Sequence, residues 1–358
     1  MKQSPFEEPI FLVQGGDPQK VADSFAAFVN TAKKSIQIAI YDFQLDGTLK
    51  DTVVNALIAK AKAGVVVQIA YDHTKANQGK ANKGTEESDP APRGTQEFVT
   101  TNFPESSKVK TKAIAGSYLM HSKYIVVDEG TANAAVWMGS ANFTLGAWSL
   151  QENNILKIHS KELAAHYKSD FDDLWKTGNI IHTGANDYST MTIGGAEVEV
   201  AFSPGNGSAA ASLFVDAIQG AGKTIWLSTM VLSSGSILGA LSDYLDKGNQ
   251  IIGVYDATQM KNVENIWTKT NSPKLALWNK VKPLLKGKKS TPFGVNNPHD
   301  YMHNKILLTD KTVVTGSFNL SNNAEHNAEN VLSIHYDPLI KNYQDYINKL
   351  YKVISKKW

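Results

Sequence analysis

The chain repeats its own pattern, and this duplication limits the possible folds more than any other feature. In the first half "AAFVNTAKKSIQIAIYDF" precedes "AKAGVVVQIAYDHT", and in the second half "ASLFVDAIQGAGKTIWLSTMVL" precedes "LDKGNQIIGVYDATQ". Each copy has the periodicity of an amphipathic helix, a strand, a second helix and a strand that ends in Tyr-Asp. A repeat of about half the chain is far longer than solenoid periods and predicts a duplicated domain.

The ends of the two copies also match. "ILKIHSKELAAHYKSDFDDLWK" aligns with "VLSIHYDPLIKNYQDYINKLYK", and both predict a strand followed by an amphipathic helix. The alternation of strands and helices predicts an α/β fold with two tandem, similar α/β sandwich domains, related by a pseudo-twofold axis, with mixed sheets flanked by helices. The Gly- and Thr-rich stretch 183–200 predicts the boundary, with a first domain at 1–190 and a second at 195–358.

Composition is typical of a globular protein and excludes several kinds of site. The chain has 358 residues, 42% of them apolar and 20% charged, with a net charge of +2. Because no apolar stretch could span a bilayer and none resembles a signal peptide, we expect a soluble protein, cytoplasmic or secreted after removal of a leader. The absence of cysteine excludes disulfides, thiolate catalysis and cysteine-based zinc sites.

A second repeated pattern carries the residues that could perform chemistry. "LMHSKYIVVD" (119–128) and "YMHNKILLTD" (301–310) share the spacing H-x-K-x4-D, and "GSANFT" and "GSFNLS" follow them. Ten residues beyond the asparagine of each G-S-x-N lies a Glu followed by Asn. The candidate catalytic residues are His121, Lys123, Ser140, Asn142 and Glu152 in the first copy and His303, Lys305, Ser317, Asn319 and Glu329 in the second.

These residue types at this spacing suit the transfer of a phosphoryl group. A strand directs alternate side chains to one face, so the histidine and lysine of each copy point the same way. Lysine supplies a positive charge, and asparagine an amide donor, for the non-bridging oxygens of a phosphate. One histidine can attack phosphorus while the other protonates the leaving oxygen, and a glutamate on the far ring nitrogen would fix each tautomer. Two half-sites that meet across a pseudo-twofold axis would form one such site.

Other motif residues are expected to be structural. A lone histidine on an apolar strand is usually a core residue, but two intact copies of the whole pattern argue against that interpretation. Gly139 and Gly316 are expected to be structural, and so are Asp128 and Asp310, each of which ends a strand and is expected to cap the turn that follows. Nothing in the sequence resembles a cage of carboxylates or histidines around a cation, so no metal site is predicted.

On these residues the chain resembles the phospholipase D superfamily, in its two-motif, single-chain form, over nearly its whole length. The resemblance implies an active site between the two domains, a covalent phosphohistidine intermediate, and no metal or other cofactor. It implies that His121 and His303 are nucleophile and general acid, with His121 preferred as nucleophile because two-domain relatives often use the first motif. The lysines and asparagines would hold the phosphate with support from the serines, and the two glutamates would orient the histidines.

The superfamily includes nucleases, phospholipases and cardiolipin-type synthases, so the motif predicts the reaction and leaves the substrate open. "GSFNLSNNAEHNAENVLSI" resembles the small nuclease branch, whereas "GSANFTLGAWSLQENNILKI" departs from it at Ala141 and Trp148. We therefore expect a metal-independent nuclease acting on DNA or RNA. The alternative is a phospholipase D that hydrolyses or exchanges head groups at a membrane surface. A non-catalytic phosphate-binding module ranks last, because every reactive position is filled. No protein partner is implied.

A basic segment leads into the second motif. Between residues 261 and 290 it carries eight lysines against the single acid Glu264, with two tryptophans among them. Lysines for phosphates and aromatic rings for bases would suit single-stranded nucleic acid. The same pattern fits a solvated helix whose tryptophans pack inward, or a surface that faces an anionic membrane. The candidate substrate-binding residues are Lys261, Trp267, Lys274, Trp278 and Lys280.

Overall fold

In the computed structural model, which describes residues 4–73, 94–185, 188–294 and 297–357, each half of the chain forms a large mixed β-sheet. The strands of the first half are β1 (Ile10–Leu12), β2 (Ser35–Ile40), β3 (Phe43–Gln44), β4 (Val66–Asp72), β5 (Lys110–Ile114), β6 (Lys123–Val127), β7 (Ala135–Gly139), β8 (Phe143–Thr144) and β9 (Asn153–Ile158). Those of the second half are β10 (Ser189–Ile193), β11 (Ala196–Ser203), β12 (Thr224–Thr229), β13 (Gln250–Asp256), β14 (Leu285–Lys288), β15 (Lys305–Leu308), β16 (Val313–Gly316) and β17 (Glu329–His335). The α-helices are α1 (Pro18–Asn30), α2 (Gly47–Lys62), α3 (Thr95–Asn102), α4 (Leu145–Ser149), α5 (Lys161–Thr177), α6 (Gly207–Gly220), α7 (Gly235–Asp246), α8 (Ala257–Thr270), α9 (Lys274–Val281) and α10 (Asp337–Lys357).

The two large sheets have the same strand order. The first runs β1-β9-β7-β6-β2-β4-β5, and the second runs β11-β17-β16-β15-β12-β13-β14 with β10 added at its edge. In both, three parallel strands adjoin an antiparallel motif strand, which is β6 in the first sheet and β15 in the second. The predicted class of two tandem, similar α/β domains is confirmed. The hairpin of β10 and β11 begins at Ser189 and so spans the predicted boundary, and the domain limits 1–190 and 195–358 stay a prediction.

A layer of two helices lies between the sheets and joins the halves. Side chains of α5 and α10 share one core with the inward faces of both sheets, while α1 and α2 cover the outer face of the first sheet and α6 to α9 cover that of the second. Tyr343 of α10 contacts the first half, where its Oη accepts a hydrogen bond from Asn154 Nδ2 at 2.9 Å. In the reverse direction, Tyr167 Oη donates to Asn330 Oδ1 at 3.2 Å. These reciprocal contacts hold the two sheets in one arrangement.

The helix ends follow local sequence signals. Asp17 accepts a hydrogen bond from the backbone of Gln19 at the start of α1, where Pro18 lies in the first turn. Ser160 likewise caps α5, and that helix ends at Gly178, whose φ of 64° lies in the left-handed region that favours glycine. Within the described residues, every helix is too short or too polar to cross a membrane.

Asp128 holds the start of β2 and does not cap the turn that follows it. Its buried carboxylate accepts hydrogen bonds from the backbone nitrogens of Lys33, Lys34 and Ser35 at 2.6–3.1 Å. The equivalent Asp310 is exposed and accepts one such bond, from Gly222 at 2.8 Å. The prediction of a local cap was therefore wrong for both, because β2 and β12 begin beside the ends of their antiparallel neighbours and present unpaired amides there.

This contrast predicts unequal stability losses. In Asp128→Ala, three partly buried amides lose a charged acceptor, so we expect the free energy of unfolding to fall by about 3 kcal/mol. Asp310→Ala is the matched control, and because its site is exposed we expect a loss below about 1 kcal/mol. Urea unfolding followed by circular dichroism measures both values, and equal losses would contradict this account.

Candidate active site

Each H-x-K segment is hydrogen-bonded to the opposite half of the molecule. The backbone nitrogen of His121 donates to the carbonyl of Ala328 at 2.9 Å, and that of His303 donates to the carbonyl of Glu152 at 3.0 Å. The residue before each histidine is held within its own half: Met120 donates to Asp72 Oδ1 at 2.7 Å and Met302 to Asp256 Oδ2 at 2.9 Å. The two motifs therefore meet at one place between the sheets.

The histidines and lysines of both motifs are buried together. His121 and Lys123 are each 1% exposed, and His303 and Lys305 are 5% and 0% exposed. Each lysine Nζ donates to the carbonyl of its own histidine, at 2.6 Å in the first motif and 2.7 Å in the second. Burial lowers the pKa of His303 well below its usual value, and the charges of Lys305, Lys123 and His121 lower it further. The backbone bonds between the halves and the burial of all four side chains bring these groups together in a single site.

A carboxylate holds the ring of His121. Its Nδ1 lies 2.8 Å from both carboxylate oxygens of Glu329, which comes from the other half. Asn327 Nδ2 donates to Glu329 Oε1 at 3.1 Å and helps to fix that carboxylate. Because Glu329 takes the Nδ1 side of the ring, any reaction with a substrate would use Nε2.

A neutral amide holds the ring of His303. Its Nδ1 lies 2.9 Å from Asn153 Oδ1, which also accepts a hydrogen bond from Ser140 Oγ at 2.7 Å. Both hydrogens of Asn153 Nδ2 have acceptors, the carbonyl of Ala147 and Gln151 Oε1, each at 3.1 Å. This pattern assigns Oδ1 as the acceptor, so Nδ1 of His303 carries the hydrogen and its Nε2 is available for chemistry.

The prediction that Glu152 orients a histidine is wrong by one residue. Its carboxylate bonds Lys288 Nζ at 2.5 Å, and Asn153 occupies the position that Glu329 has in the other half. The cause is a difference in loop length: Gly139 pairs with Ile155, whereas Gly316 pairs with Val331, so the first connection is one residue longer. The matching Glu-Asn pairs in the sequence are therefore not structurally equivalent.

The remaining motif residues shape the site. A Cβ on Gly139 or Gly316 would lie 2.1 or 2.0 Å from a carbonyl oxygen of the neighbouring strand, so only glycine fits at either position. Ser140 Oγ and Ser317 Oγ accept hydrogen bonds from the backbone of the trailing strands, at 3.1 and 3.0 Å.

The two motif asparagines are buried, but less deeply than the histidines, lysines and serines of the motifs. Asn142 and Asn319 are each 8% exposed, whereas the histidines, lysines and serines of the two motifs are at most 5% exposed. The side-chain oxygen of each is buried and accepts no hydrogen bond from the described residues. Each amide therefore retains polar capacity that a ligand could use.

Two residues at the end of β2 belong to the site but not to the repeated motif. The Tyr41 ring centroid lies 5.1 Å from Lys123 Nζ and 4.8 Å from the ring centroid of His121. Burial raises the pKa of the adjacent Asp42, and the charges of His299 and Lys123 partly oppose that shift. The strand registers equate these positions with Met230 and Val231 in the second half. A polar pair after an apolar strand in one copy only is the sequence signal that could have identified them.

Trp267 and Trp278 do not form the base-stacking surface predicted for them. Trp267 and Trp278 are 0% exposed and belong to the outer core of the second half, because α8 and α9 turn their apolar faces toward the sheet. Lys274 Nζ bonds the carbonyl of Ser233 and lies over the Trp267 ring, and Lys280 pairs with Asp246. Lys261 is exposed on α8. The prediction that these tryptophans stack on bases was wrong.

The chemistry available at the site is that of two imidazoles and two ammonium groups. In the part of the chain that the structure describes, no three His, Asp or Glu residues cluster closely enough to hold a metal ion. Two buried lysine charges lie beside the carboxylate of Glu329, and burial raises the pKa of Asp42, which favours its uncharged form, so the site suits an anion. Because the Nδ1 partner of each imidazole is fixed, one ring can act as a nucleophile through Nε2 while the other transfers protons through Nε2.

Comparisons with known proteins agree with this architecture. A family model described as "Cardiolipin synthase, PLD-like domain" matches residues 25–175 and 214–351. Phosphatidylserine synthase from Haemophilus influenzae Rd KW20 has a similar fold, with a TM-score of 0.65 and 13% identity over 100% of this chain and 88% of that one. Polyphosphate kinase from Porphyromonas gingivalis gives 0.55 and 11% over 91% of this chain and 44% of that one.

A shorter solved structure and the curated sequences complete the comparison. Nuc from Salmonella typhimurium, a phospholipase D family member, is 24% identical over 43% of this chain and 93% of its own, with a TM-score of 0.34. No curated protein matches the chain.

The neutral ring partner of His303 predicts how the pKa of this histidine responds when that partner is made acidic. In Asn153→Asp a carboxylate would replace the amide beside His303, and because it stabilises the imidazolium we expect the pKa of His303 to rise. Nitrogen-15 NMR of the imidazole rings over a pH titration measures this shift, with the wild type as reference. An unchanged or lower pKa would contradict the assignment of Asn153 as the ring partner.

Proposed function

The chain belongs to the phospholipase D superfamily, and we propose that it is a nuclease that cleaves phosphodiester bonds of single-stranded nucleic acid through a covalent phosphohistidine. The family match in two segments supports the coarser statement that this is an enzyme of phosphodiester chemistry. The observation that carries the proposal is the meeting of two buried His-Lys pairs, one from each half, in one site. The finer assignment of substrate rests on further contacts around that site.

The charge of the site fits a phosphodiester. Lys123 and Lys305 bring two buried positive charges and Glu329 brings one negative charge, while burial raises the pKa of Asp42 and so favours its uncharged form. A phosphodiester carries a single negative charge, so its binding would neutralise the site without leaving an unpaired buried ion. Asn142 and Asn319 would add amide contacts to the non-bridging oxygens, and Ser140 and Ser317 would hold the strands that carry them.

The different ring partners support different roles for the histidines. When Nε2 of His121 attacks phosphorus, an N–P bond forms, the P–O bond to the leaving group breaks, and the ring becomes cationic. The carboxylate of Glu329 on Nδ1 stabilises that cation for the lifetime of the intermediate. This supports His121 as the nucleophile, as the resemblance had implied.

His303 would then transfer protons. Its ring partner is neutral and its pKa is lowered by burial and by nearby lysines, so its imidazolium form gives up a proton readily. The negative charge of a bound phosphodiester would offset those lysines and favour protonation before reaction. In the second step His303 would take a proton from water, water oxygen would bond phosphorus, and the N–P bond would break.

Aromatic rings beside the site support nucleic acid as the substrate. Tyr118, three residues before His121, is 39% exposed, and its ring centroid lies 5.0 Å from that of the exposed His326 of the other half. Phe293 is 47% exposed, and its ring centroid lies 5.3 Å from that of His299, whose charge acts on Asp42 of the site. Exposed rings near a phosphate site suit unpaired bases. The resemblance of the second motif to the small nuclease branch supports the same assignment.

Phospholipid is the second candidate substrate. The description of the matching family model names cardiolipin synthase. The fold similarity to a phosphatidylserine synthase extends over the whole chain. Exposed rings beside a phosphate site could also lie at the head-group level of a membrane. In that case the phosphohistidine would carry a phosphatidyl group, and water or an alcohol would accept it.

We expect the wild type to cleave single-stranded DNA in excess EDTA, because the site supplies its own nucleophile and acid. His303→Ala should lose at least about a hundredfold in rate, the typical contribution of a general acid. His335→Ala, which removes a partly exposed histidine at the end of β17, is the matched control and should retain activity. Gel assays with circular single-stranded and plasmid DNA measure the rates.

Each other outcome of this assay has a defined meaning. Turnover of phosphatidylcholine vesicles without DNA cleavage would replace the nuclease assignment with the phospholipid one. Loss of all activity in EDTA, with recovery on adding a divalent cation, would contradict the metal-independent mechanism. Equal rates for His303→Ala and the control would remove His303 from catalysis.

The order of the histidines can be tested by trapping. In His303→Asn, a nitrophenyl phosphodiester needs no acid for its leaving group, so attack should proceed while hydrolysis slows. We expect phosphorylated His121 to accumulate, which peptide mass spectrometry after an alkaline quench would detect. If His303 became phosphorylated in the reciprocal His121→Asn variant, and His121 did not in His303→Asn, the roles would be reversed.

A further inference from the structure

The pseudo-twofold symmetry of the molecule is broken directly behind His303. In the strand registers, Lys288 is equivalent to Ile114, since each lies opposite the aspartate that ends the neighbouring parallel strand. Glu152 is equivalent to Ala328, since the carbonyl of each accepts the backbone of a motif histidine. Behind His303 a buried ion pair, Glu152 and Lys288, thus takes the place that two apolar residues of the central core, Ala328 and Ile114, have behind His121.

The space next to this position is filled in the first half. After α5 the chain turns at Gly178, and Ile180 returns to bond the backbone of Ala115. Ile180 lies in the same core as Ile114, and a Cβ on Gly116 would be 2.6 Å from its side chain. The first half therefore closes over its apolar pair.

The equivalent space is open in the second half. Since α10 continues as a helix to Lys357, among the described residues no counterpart of Ile180 folds back over Lys288. A cavity of about 460 Å³ lies there, within the range of sites for small ligands. It is lined by Val13, Gln14, Glu152, Lys288, Lys349, Leu350, Val353 and Ile354.

This cavity is separate from the candidate active site. Glu152 bridges to Met302, whose side chain belongs to the central core beneath α10. The next residues along both strands, Asn153 and His303, direct their side chains to each other in the candidate active site. Because side chains alternate along extended chain, Glu152 and Asn153 face opposite sides of the same segment.

We propose that the cavity binds an aliphatic chain that carries one anionic head group, a carboxylate or a phosphate. Two lysines and one glutamate give the cavity a net positive charge of one, which a single anion would neutralise. Val13, Leu350, Val353 and Ile354 form a wall without aromatic rings, which suits an aliphatic tail. Burial raises the pKa of Glu152, although the charge of Lys288 opposes that shift. Because the carboxylate of Glu152 is thus poorly stabilised as an anion, Lys288 retains positive charge with which a bound anion could interact.

The chain itself suggests the sharpest variant. Glu152→Ala with Lys288→Ile rebuilds the apolar pair of the first half, so it removes both charges without leaving either one buried alone. The probes are sodium decanoate, decyl phosphate, decanol and inorganic phosphate, each below its micelle concentration where it has one. Isothermal titration calorimetry measures the affinity for the whole chain.

We expect one decanoate or one decyl phosphate to bind per chain in the wild type. The double variant should bind both anions at least about tenfold more weakly, the effect of losing one charge-assisted hydrogen bond, and should bind decanol no more weakly. Val353→Trp, at a partly exposed helix position, should weaken all three alkyl probes by filling the cavity. The relative affinity of the carboxylate and the phosphate identifies the preferred head group.

Several outcomes would overturn the proposal. They are the absence of binding by any alkyl probe, equal affinity of the anions for wild type and double variant, and inorganic phosphate binding as tightly as decyl phosphate. None of these depends on turnover. Because His121→Ala should bind the probes like the wild type, the result is distinguishable from failure of the proposed nuclease function.

Discussion

The structure depends on two backbone hydrogen bonds that cross between the halves. His121 donates to Ala328, and His303 donates to Glu152, so neither motif is complete within its own sheet. Asp72 and Asp256 accept hydrogen bonds from Met120 and Met302, the residues before the two histidines. Each histidine therefore follows a contact within its own half and makes a contact with the other half. The burial of two lysines at this junction follows, because the carbonyls of the histidines accept their ammonium groups.

Duplication supplied two equal half-sites, and small local changes made them unequal. One extra residue near α4 moved an amide to the place where the other half has a carboxylate, so His121 faces Glu329 and His303 faces Asn153. Such a difference separates the protonation behaviour of two otherwise similar imidazoles. Under the proposed mechanism, the carboxylate serves the ring that becomes cationic and the amide serves the ring that releases a proton.

The same shift changed the other side of that chain segment. With Asn153 facing the candidate active site, the side chain of Glu152 faces the central core, where Lys288 pairs with it. The longer α10 leaves this ion pair beside a cavity, whereas Ile180 closes the equivalent place in the first half. A buried ion pair beside aliphatic side chains costs free energy when neither a ligand nor water contacts it. The cavity is for this reason a candidate binding site.

The sequence by itself determined the duplication, the strands and helices, and the two motifs that the structure brings together. These features depend on local periodicity and on spacing along the chain, which can be read without knowing which segments meet. The tertiary structure alone decided the partners: that Asn153 and not Glu152 faces His303, that Trp267 and Trp278 are buried, and that a cavity adjoins Lys288. A one-residue difference in a connection reverses the face on which a side chain lies, and only long-range pairing between strands reveals it.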